Sequence, residues 1–272
     1  MDDFVELEVL GRGAFGTVTL CQRKSEQERL VVLKEIEIQE TPEITEEEVK
    51  VVSSFHHPLI VRFFGRFTRN NNVFIIMEYM PGGTLWQYLK GRKGRLLAED
   101  EVVRLFAQLV LALEHIHSRK VLHRDVKSKN ILLSADHSVA KIGDFGISKI
   151  LETNKSRAGS IVGTPEYFSP ELCRGQTYGS KSDVWALGCV LYELMTLTRP
   201  FQASSVPALA VKILSGDVRP PDETYSKILR QLLKDMMHPE PSERAGVRAC
   251  AACPLVAVEI VKLACSLGSA GV

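Results

Sequence analysis

Side chains that could do chemistry together are concentrated in the middle of the chain. Residues 123–130 read His-Arg-Asp-Val-Lys-Ser-Lys-Asn, and residues 144–146 read Asp-Phe-Gly. The two runs supply two carboxylates, an ammonium group and an amide, which can orient a hydroxyl, bind a phosphate oxygen and hold magnesium. Such chemistry belongs to phosphoryl transfer, in which catalysis depends mostly on positioning and charge neutralisation. A charged loop with accidental neighbours could explain one of these runs but not readily both.

Each residue type in the two runs suggests a role. Asp125 would accept or orient the substrate hydroxyl, and Lys127 would contact the transferred phosphate. Asn130 and Asp144 would ligate Mg²⁺ through oxygen atoms, which this ion prefers. For Asn130 alone a capped turn is an alternative interpretation, but a turn does not account for the whole set.

A glycine-rich segment near the start of the chain is a second candidate. Residues 11–18 read Gly-Arg-Gly-Ala-Phe-Gly-Thr-Val, a pattern that is weak on its own. A dinucleotide site needs a helix directly after the glycines, and strand sequence follows here. A Walker A loop needs Lys-Ser or Lys-Thr after the last glycine, and neither is present. What remains is a strand–loop–strand flap over a triphosphate, or an ordinary hairpin turn.

Lys34 and an acidic segment after it form a third candidate. Lys34 follows Val-Val-Leu on a predicted strand, so its side chain would emerge from a face of a sheet. It would fix nucleotide phosphates and pair with a glutamate on a helix, for which Glu48 is the best candidate. The alternatives are an exposed strand lysine and a solvated acidic face that includes Glu46 and Glu47.

Composition limits the class of protein. A length of 272 residues exceeds the range in which one hydrophobic core usually keeps growing, so two lobes are expected. A net charge of +1 favours neither nucleic acid nor a membrane surface as a partner. The six scattered cysteines indicate reduced thiols of a cytoplasmic protein. Cys250-x-x-Cys253 lacks a second ligand pair nearby, so we do not expect structural zinc.

Two further observations argue against membrane insertion. The chain opens without an apolar signal run. The apolar stretch 255–267 is interrupted by charges and is too short to span a bilayer.

Hydrophobic patterns predict the elements that must position these residues. The first third of the chain reads mostly as strands, at 4–10, 17–21, 30–36 and 73–79, with one helix at 43–55. From Leu97 to Ile116 apolar residues recur at three- and four-residue spacing, which predicts a long helix. Further helices are predicted at 181–197, 206–215, 228–237 and 254–267. The layout is a small sheet-rich lobe followed by a larger helical lobe.

Taken together, the motifs resemble the catalytic domain of eukaryotic protein kinases over nearly the whole chain. Further matches are Ser-Pro-Glu at 169–171, in place of the usual Ala-Pro-Glu, Asp183-x-Trp185, and Arg244, which pairs with Glu171 in this family. The resemblance implies an α+β fold with a small antiparallel β-sheet N-lobe, one control helix and a larger, mainly helical C-lobe. It implies a kinase domain at 4–255, with N-lobe 4–80, hinge 81–84 and C-lobe 85–255, then a C-terminal helix and short tail at 256–272.

The resemblance also implies substrates and cofactors. Lys127, two residues after Asp125, and Gly-Thr-Pro at 163–165 are similar to the serine/threonine branch. That branch uses ATP and Mg²⁺ and acts on serine and threonine hydroxyls of protein substrates. The principal alternative is a kinase-fold binding or scaffold module with weak or no catalysis.

Finer motifs narrow the resemblance. Residues 143–150, 162–173 and 185–194 are similar to NIMA-related kinases, and residues 81–85 and 207–209 to the ciliary subgroup of kinase-eight and kinase-nine type. Those relatives carry a C-terminal β-propeller. This chain ends at Val272 without that propeller, so we expect a fragment or a short form. Association with the cilium, centrosome or cytoskeleton is implied by the resemblance alone.

A nucleotide site follows from the resemblance residue by residue. Met77 would guard the back of the adenine pocket, and Glu78 and Met80 would supply backbone contacts at the hinge. The implied nucleotide-binding set is Leu10, Gly11, Gly13, Ala14, Phe15, Gly16, Val18, Val32, Lys34, Met77, Glu78, Met80, Leu132 and Asp144. The implied catalytic set is Asp125, Lys127, Lys34 and Glu48.

Three departures from the family pattern bear on activity. Val32 stands where alanine is usual, which makes the adenine ceiling bulkier. The connection from Lys34 to Glu48 is shorter than in close relatives by about one helical turn. Phe63-Phe64 replaces a frequent tyrosine pair, so a tyrosine hydroxyl cannot act there.

Regulation is also implied by the resemblance. Residues 148–165 correspond to the activation loop, and Ser160 matches the phosphorylated position of the family. A phosphate on Ser160, added by an upstream kinase or by autophosphorylation, would gain charge-assisted bonds to Arg124. A solvated flexible loop with incidental serines is the alternative.

Overall fold

The computed structural model describes residues 3–13, 16–24, 26–37, 55–70, 72–143 and 164–269. The described residues fall into two compact units, one ending at Pro81 and the other beginning at Gly82. The helix predicted at 43–55 lies outside the described residues except for Phe55.

The first unit is a five-stranded antiparallel sheet. Its strands are β1 (Phe4–Gly13), β2 (Gly16–Arg23), β3 (Glu26–Glu37), β4 (Phe63–Arg69) and β5 (Asn72–Glu78), in the spatial order β1-β2-β3-β5-β4. One cluster of buried side chains holds Cys21, Val31 and Leu33, and a second holds Ile36, Val73 and Ile75. The continuous apolar run in β3 therefore reflects a central strand that is covered on both faces.

Sequence patterns missed strand β4. Its sequence, Phe-Phe-Gly-Arg-Phe-Thr-Arg, places a glycine and two arginines where a strand pattern would be regular. Tertiary pairing with β5 outweighs this weak local preference. Phe67 of β4 stacks on Phe74 of β5, with ring centroids 4.9 Å apart.

The second unit is mainly helical. Its α-helices are α1 (Leu85–Gly91), α2 (Glu99–Ser118), α3 (Pro170–Cys173), α4 (Ser180–Thr196), α5 (Val206–Ser215), α6 (Lys227–Met236), α7 (Val247–Ala252) and α8 (Pro254–Ser269). A short hairpin joins β6 (Ile131–Leu133) to β7 (Ala140–Ile142). The long predicted helices are confirmed to within two residues, whereas the short elements α1, α3, α7, β6 and β7 were not predicted. Among the described residues, no helix is both long and apolar enough to cross a membrane.

Helices α2 and α4 form the centre of this unit for different reasons. Three acidic residues in the first turn of α2 lie at the positive end of the helix dipole, and its apolar stripe is buried. Nearly every residue of α4 is buried, which explains why its sequence is apolar on all sides. At Gly188 of α4 an added Cβ would lie 3.0 Å from Cγ of Met237, so glycine permits the close approach of the segment that ends α6.

A buried ion pair joins two distant parts of the helical unit. Arg244 donates two hydrogen bonds of 2.8 Å to the two carboxylate oxygens of Glu171, and Ser182 donates a third of 2.6 Å. Arg244 also lies over the Trp185 ring. Burial alone would raise the pKa of Glu171, but these hydrogen bonds outweigh it and lower the pKa to about 2. The predicted pairing of Arg244 with Glu171 is confirmed.

Replacing Arg244 tests how strongly this pair holds the helical unit together. Arg244→Ala leaves a buried carboxylate without its partner, so we expect the free energy of unfolding at pH 7 to fall by about 3–5 kcal/mol. Because the folded pKa of Glu171 is lowered, its stabilising contribution in the native protein is present above pH 4.5 and is lost as pH falls toward 2. Urea unfolding across this pH range measures both effects.

Arg248→Ala is the control. Its 3.6 Å ion pair with Glu114 is solvent-exposed on the arginine side, so we expect a loss below about 0.5 kcal/mol. Equal losses from the two substitutions would contradict the assignment.

Candidate active site

One face of the sheet brings together several predicted nucleotide-binding residues. In the strand register, Lys34 lies opposite Val18 of β2 and Ile75 of β5, while Val32 lies opposite Leu20 and Met77. Residues directly opposite each other on neighbouring strands share a face, and residues two apart on one strand do so as well. Val18, Val32, Lys34 and Met77 therefore form two adjacent cross-strand rows on a single face.

The glycine segment is a strand–turn–strand hairpin. Gly13, the last residue of β1, lies opposite Gly16, the first residue of β2, and Gly11 lies opposite Val18. Gly16 has φ +124°, and an added Cβ would lie 1.8 Å from the carbonyl oxygen of Glu35, so no other residue fits there. The strand after Gly16 confirms that the helix required by a dinucleotide site is absent from this part of the chain.

The remaining nucleotide-binding predictions in the first unit occupy different environments. Met80 is buried, whereas the Leu10 side chain is 41% exposed at the surface of β1. Glu78 ends β5, where its carboxylate accepts a 3.1 Å hydrogen bond from the backbone N–H of Arg62 and its own N–H donates to the Arg62 carbonyl. The backbone of Glu78 is thus held by Arg62, which directly precedes β4, and by pairing with Val31 of β3.

In the second unit, two predicted catalytic residues, Asp125 and Lys127, and a predicted metal ligand, Asn130, lie in direct contact. Oδ2 of Asp125 lies 2.8 Å from Nζ of Lys127 and accepts a 2.9 Å hydrogen bond from Nδ2 of Asn130. The Lys127 ammonium also donates a 3.0 Å hydrogen bond to the hydroxyl of Thr164. One carboxylate, one ammonium and one amide are therefore held in contact with one another.

The β6–β7 hairpin positions Asn130. Asn130 directly precedes β6, and its carbonyl accepts a 2.8 Å hydrogen bond from the N–H of Gly143, which directly follows β7. The Asn130 side chain donates through Nδ2 to the backbone carbonyl of Asp125 at 2.9 Å. Among the described residues, none donates to Oδ1 of Asn130. Leu132 lies in β6 and bridges to Thr84 within the same unit.

A buried carboxylate, Asp183, supports the backbone that precedes Asp125. Oδ2 of Asp183 accepts hydrogen bonds from the N–H of His123 (2.9 Å) and Nε2 of His117 (2.8 Å), while Oδ1 accepts from the N–H of Arg124 (2.9 Å) and the Tyr178 hydroxyl. Burial alone would raise the pKa of Asp183, but the hydrogen bonds from His117 and Tyr178 keep it below the usual value. Asp183 therefore remains an ionised acceptor with four donors.

This support is needed because the backbone at Arg124 is strained. Arg124 has φ +65°, a left-handed conformation that costs a residue other than glycine of order 1 kcal/mol or more. His123 is fully buried, and its Nδ1 accepts a hydrogen bond from the Asp125 N–H, so its Nε2 carries the proton and donates to the Gly143 carbonyl. His123 thus links the residue before Asp144 to the backbone of Asp125.

A second buried carboxylate lies behind the loop. Glu193 of α4 accepts hydrogen bonds from the Tyr167 hydroxyl and from Oγ of Ser128, which is 2.6 Å away. Burial raises the pKa of Glu193, and the two hydrogen bonds oppose this shift. The network connects the segment after Lys127 with the segment after Thr164 through the central helix.

Several predicted site residues lie outside the described residues. These are Ala14, Phe15, Glu48, Asp144 and Ser160. Their proposed roles stay predictions.

Comparisons with known proteins agree with the resemblance to protein kinases. The protein kinase domain family matches residues 4–256. The serine/threonine-protein kinase Nek8 of Danio rerio is 47% identical over 90% of this chain, and Nek5 of Mus musculus is 42% identical over 91%. The kinase nekl-2 of Caenorhabditis elegans is 35% identical over 98% of this chain and 78% of its own length.

The chain belongs to the protein kinase family, in its NIMA-related branch. This kinase domain spans 35% of the Nek8 relative and 39% of the Nek5 relative. The expected α+β class, with an antiparallel sheet unit and a mainly helical unit, is confirmed.

The donor set of this kinase domain fits Mg²⁺. Asn130 presents an amide oxygen to which no described residue donates, and Gly143, hydrogen-bonded to Asn130, is followed in sequence by Asp144. Oxygen ligands from an amide and a carboxylate suit this hard cation, which is bound through few protein ligands. Asn130 and Asp144 would hold the ion.

Sequence reasoning missed the supporting residues of the site. It identified Asp183 as part of a motif but gave it no role, and it gave none to His117, Tyr167 or Glu193. The available signal was a carboxylate within the apolar run of α4, because a buried charge needs partners. Which partners those are depends on tertiary contacts that no local pattern records.

Removing one donor from Glu193 tests the network behind the loop. Tyr167→Phe leaves one carboxylate oxygen of a buried Glu193 without its hydroxyl donor, so we expect the free energy of unfolding to fall by about 1.5–3 kcal/mol. Tyr79→Phe is the matched control, because its hydroxyl contacts no hydrogen-bonding partner in the described ranges, and it should change stability by less than about 0.5 kcal/mol. Chemical denaturation measures the stability of both variants. Equal stabilities would contradict the assignment.

Proposed function

We propose that this kinase domain transfers the γ-phosphate of Mg²⁺-bound ATP to serine and threonine hydroxyls of protein substrates. The observation that carries the proposal is the fixed contact of Asp125 with Lys127 and Asn130. Membership of the NIMA-related kinases supports it, and so do the names of the relatives as serine/threonine-protein kinases.

In the proposed reaction, Asp125 orients the acceptor hydroxyl and takes its proton as the new oxygen–phosphorus bond forms. The bond between the γ-phosphorus and its bridging oxygen breaks, and ADP leaves with that oxygen. Lys127 carries a positive charge 2.8 Å from the Asp125 carboxylate, where it can neutralise charge that develops on the transferred group. Magnesium, when bound, offsets further phosphate charge, and Asn130 and Asp144 would hold it.

Preference for serine and threonine rests on the Lys127–Thr164 contact. The 3.0 Å hydrogen bond holds the ammonium next to the Thr164 hydroxyl. Lys127 is also placed by its ion pair with Asp125, so two contacts fix its position. A lysine held in this way supports the preference for serine and threonine hydroxyls that the family resemblance implies.

On the sheet unit, the shared face of Val18, Val32, Lys34 and Met77 supports a nucleotide site. Apolar side chains there would cover the adenine, and Lys34 in the neighbouring row would contact the phosphates. Val32 carries two methyl groups more than the alanine usual at this position, which would narrow the site. Glu48 is proposed as the partner of Lys34.

Regulation and location are proposals from family resemblance. Phosphorylation of Ser160 would place a dianion near Arg124, the residue whose backbone Asp183 holds in the left-handed conformation. An upstream kinase or autophosphorylation would supply the phosphate. Cytoplasmic location, with association to the cilium or centrosome, stays a prediction.

Removing the proposed metal ligand tests catalysis. Asp144→Ala should lower transfer of radiolabel from [γ-³²P]ATP to a generic protein acceptor by at least about 10³-fold, because it removes several kcal/mol of transition-state stabilisation. The assay uses Mg²⁺ and equal amounts of each protein, with circular dichroism to confirm folding.

Asp100→Ala is the matched control, since it deletes an exposed carboxylate in the first turn of α2. It should retain activity within about two-fold because it lies outside the proposed machinery. Equal transfer of label by native protein and Asp144→Ala would contradict the proposed catalysis through Asp144, and no transfer by either would indicate a kinase-fold binding module.

A further inference from the structure

A groove on the helical unit carries excess positive charge away from the catalytic residues. It has a volume of about 530 Å³ and lies between the loop after α5 and helix α6. Four of its lining side chains are cations: Arg219, Lys227, Arg230 and Lys234. Asp217 is the single acid among the described lining residues.

Acidic side chains offset only part of this charge in the described part of the chain. None of the four forms an ion pair with a described carboxylate. The hydrogen bond donated by the Thr224 N–H is the largest cause of the lowered pKa of Asp222. The positive charge of Arg230 makes a smaller contribution. Asp217 and Asp222 together leave the groove with an excess of two positive charges.

Arg230 is partly withdrawn from water. Nε of Arg230 is buried and makes no hydrogen bond to any described residue. A buried donor of this kind costs free energy unless an acceptor reaches it. The guanidinium presents a planar fork of N–H donors, which matches the two oxygens of a carboxylate.

The arrangement of the charges favours an extended ligand over a small anion. Lys227, Arg230 and Lys234 stand at positions i, i+3 and i+7 of α6, so they follow one side of the helix over about 10 Å. An extended peptide rises about 3.3 Å per residue, and three of its residues cover the same distance. A single phosphate concentrates its oxygens at one point and could meet only part of this row.

The floor of the groove is apolar. Val218, Pro221, Leu233 and Met237 contribute to its lining, and all except Val218 are largely buried. An interface in which an apolar anchor is flanked by charged contacts combines affinity with orientation. The groove therefore matches a peptide with carboxylates on either side of an apolar side chain.

We propose that this groove docks an acidic segment of a protein partner, with Arg230 receiving a carboxylate and an apolar side chain resting on the floor. The groove is separate from Asp125, Lys127 and Asn130, and docking requires neither ATP nor phosphoryl transfer. It would act as a recruitment site rather than as part of the reaction.

Fluorescence anisotropy of a labelled peptide tests the proposal on the intact chain without nucleotide. The probe is Gly-Glu-Glu-Leu-Glu-Asp-Leu-Glu-Glu-Gly, and the neutral control carries glutamine and asparagine in place of the acids. We expect saturable binding of the acidic peptide and at least about ten-fold weaker binding of the neutral one, which corresponds to about 1.4 kcal/mol. Binding should weaken further at high salt.

A matched pair of double variants locates the site. Lys227→Gln/Lys234→Gln should weaken binding at least about ten-fold, or about 1.4 kcal/mol. Lys120→Gln/Lys262→Gln changes the net charge by the same amount on other exposed surfaces and should change the affinity less than about two-fold.

Three results would overturn the proposal. They are equal binding of the neutral peptide, equal loss in both double variants, and displacement of the acidic peptide by equimolar inorganic phosphate or anionic lipid vesicles. Equal loss would indicate that net charge alone attracts the peptide. Displacement would indicate a site for a small anion or for a membrane surface.

Discussion

The catalytic loop of this kinase domain depends on one buried carboxylate. Asp183 has no exposed surface and accepts hydrogen bonds from the backbone of His123 and Arg124 and from the side chains of His117 and Tyr178. A carboxylate withdrawn from water is costly unless such donors compensate it. Because two of the donors are consecutive backbone N–H groups, the same contacts that stabilise the charge also fix the chain immediately before Asp125.

The consequence is a rigid base for the chemistry. The left-handed conformation of Arg124 is unfavourable by itself. It persists because Asp183 accepts hydrogen bonds from the N–H groups of His123 and Arg124. The next residue, Asp125, forms an ion pair with Lys127 and a hydrogen bond with Asn130. Asn130 is in turn hydrogen-bonded to Gly143, which follows the β6–β7 hairpin. Pre-organisation of this kind reduces the rearrangement needed when a substrate hydroxyl arrives. Helix α4 supports the loop twice, through Asp183 and through Glu193.

The candidate residues of the loop could be identified from the sequence because they stand in a local pattern. Asp125, Lys127 and Asn130 stand within six residues of one another, and the rule that glycines precede a strand separated this chain from dinucleotide-binding proteins. Long helices such as α2 were predictable because their apolar stripe repeats with the helical period. Family resemblance then supplied the α+β class, which the sheet and helical units confirm.

What could not be predicted depends on strand pairing and side-chain contacts that the local sequence pattern does not record. Strand β4 forms because β5 pairs with it, although its glycine and arginines weaken the local pattern. The partners of Asp183 and Glu193 come from segments as much as 66 residues away along the chain. The groove beside α6 was not predicted either, because Arg219 and part of the apolar lining come from the loop after α5, whereas the other three cations stand on α6.

Hydrogen exchange of the segment 121–130, measured by mass spectrometry in native protein and in Asp183→Asn, tests the central claim most directly. An asparagine can accept from one of the two backbone N–H groups, but its amide nitrogen would face the other, and the charge is lost. Losing about 2.8 kcal/mol of support from hydrogen bonds to a charged group should speed exchange of this segment by about 100-fold, while helix α2 keeps its protection. Unchanged protection of residues 121–130 in Asp183→Asn would contradict the account.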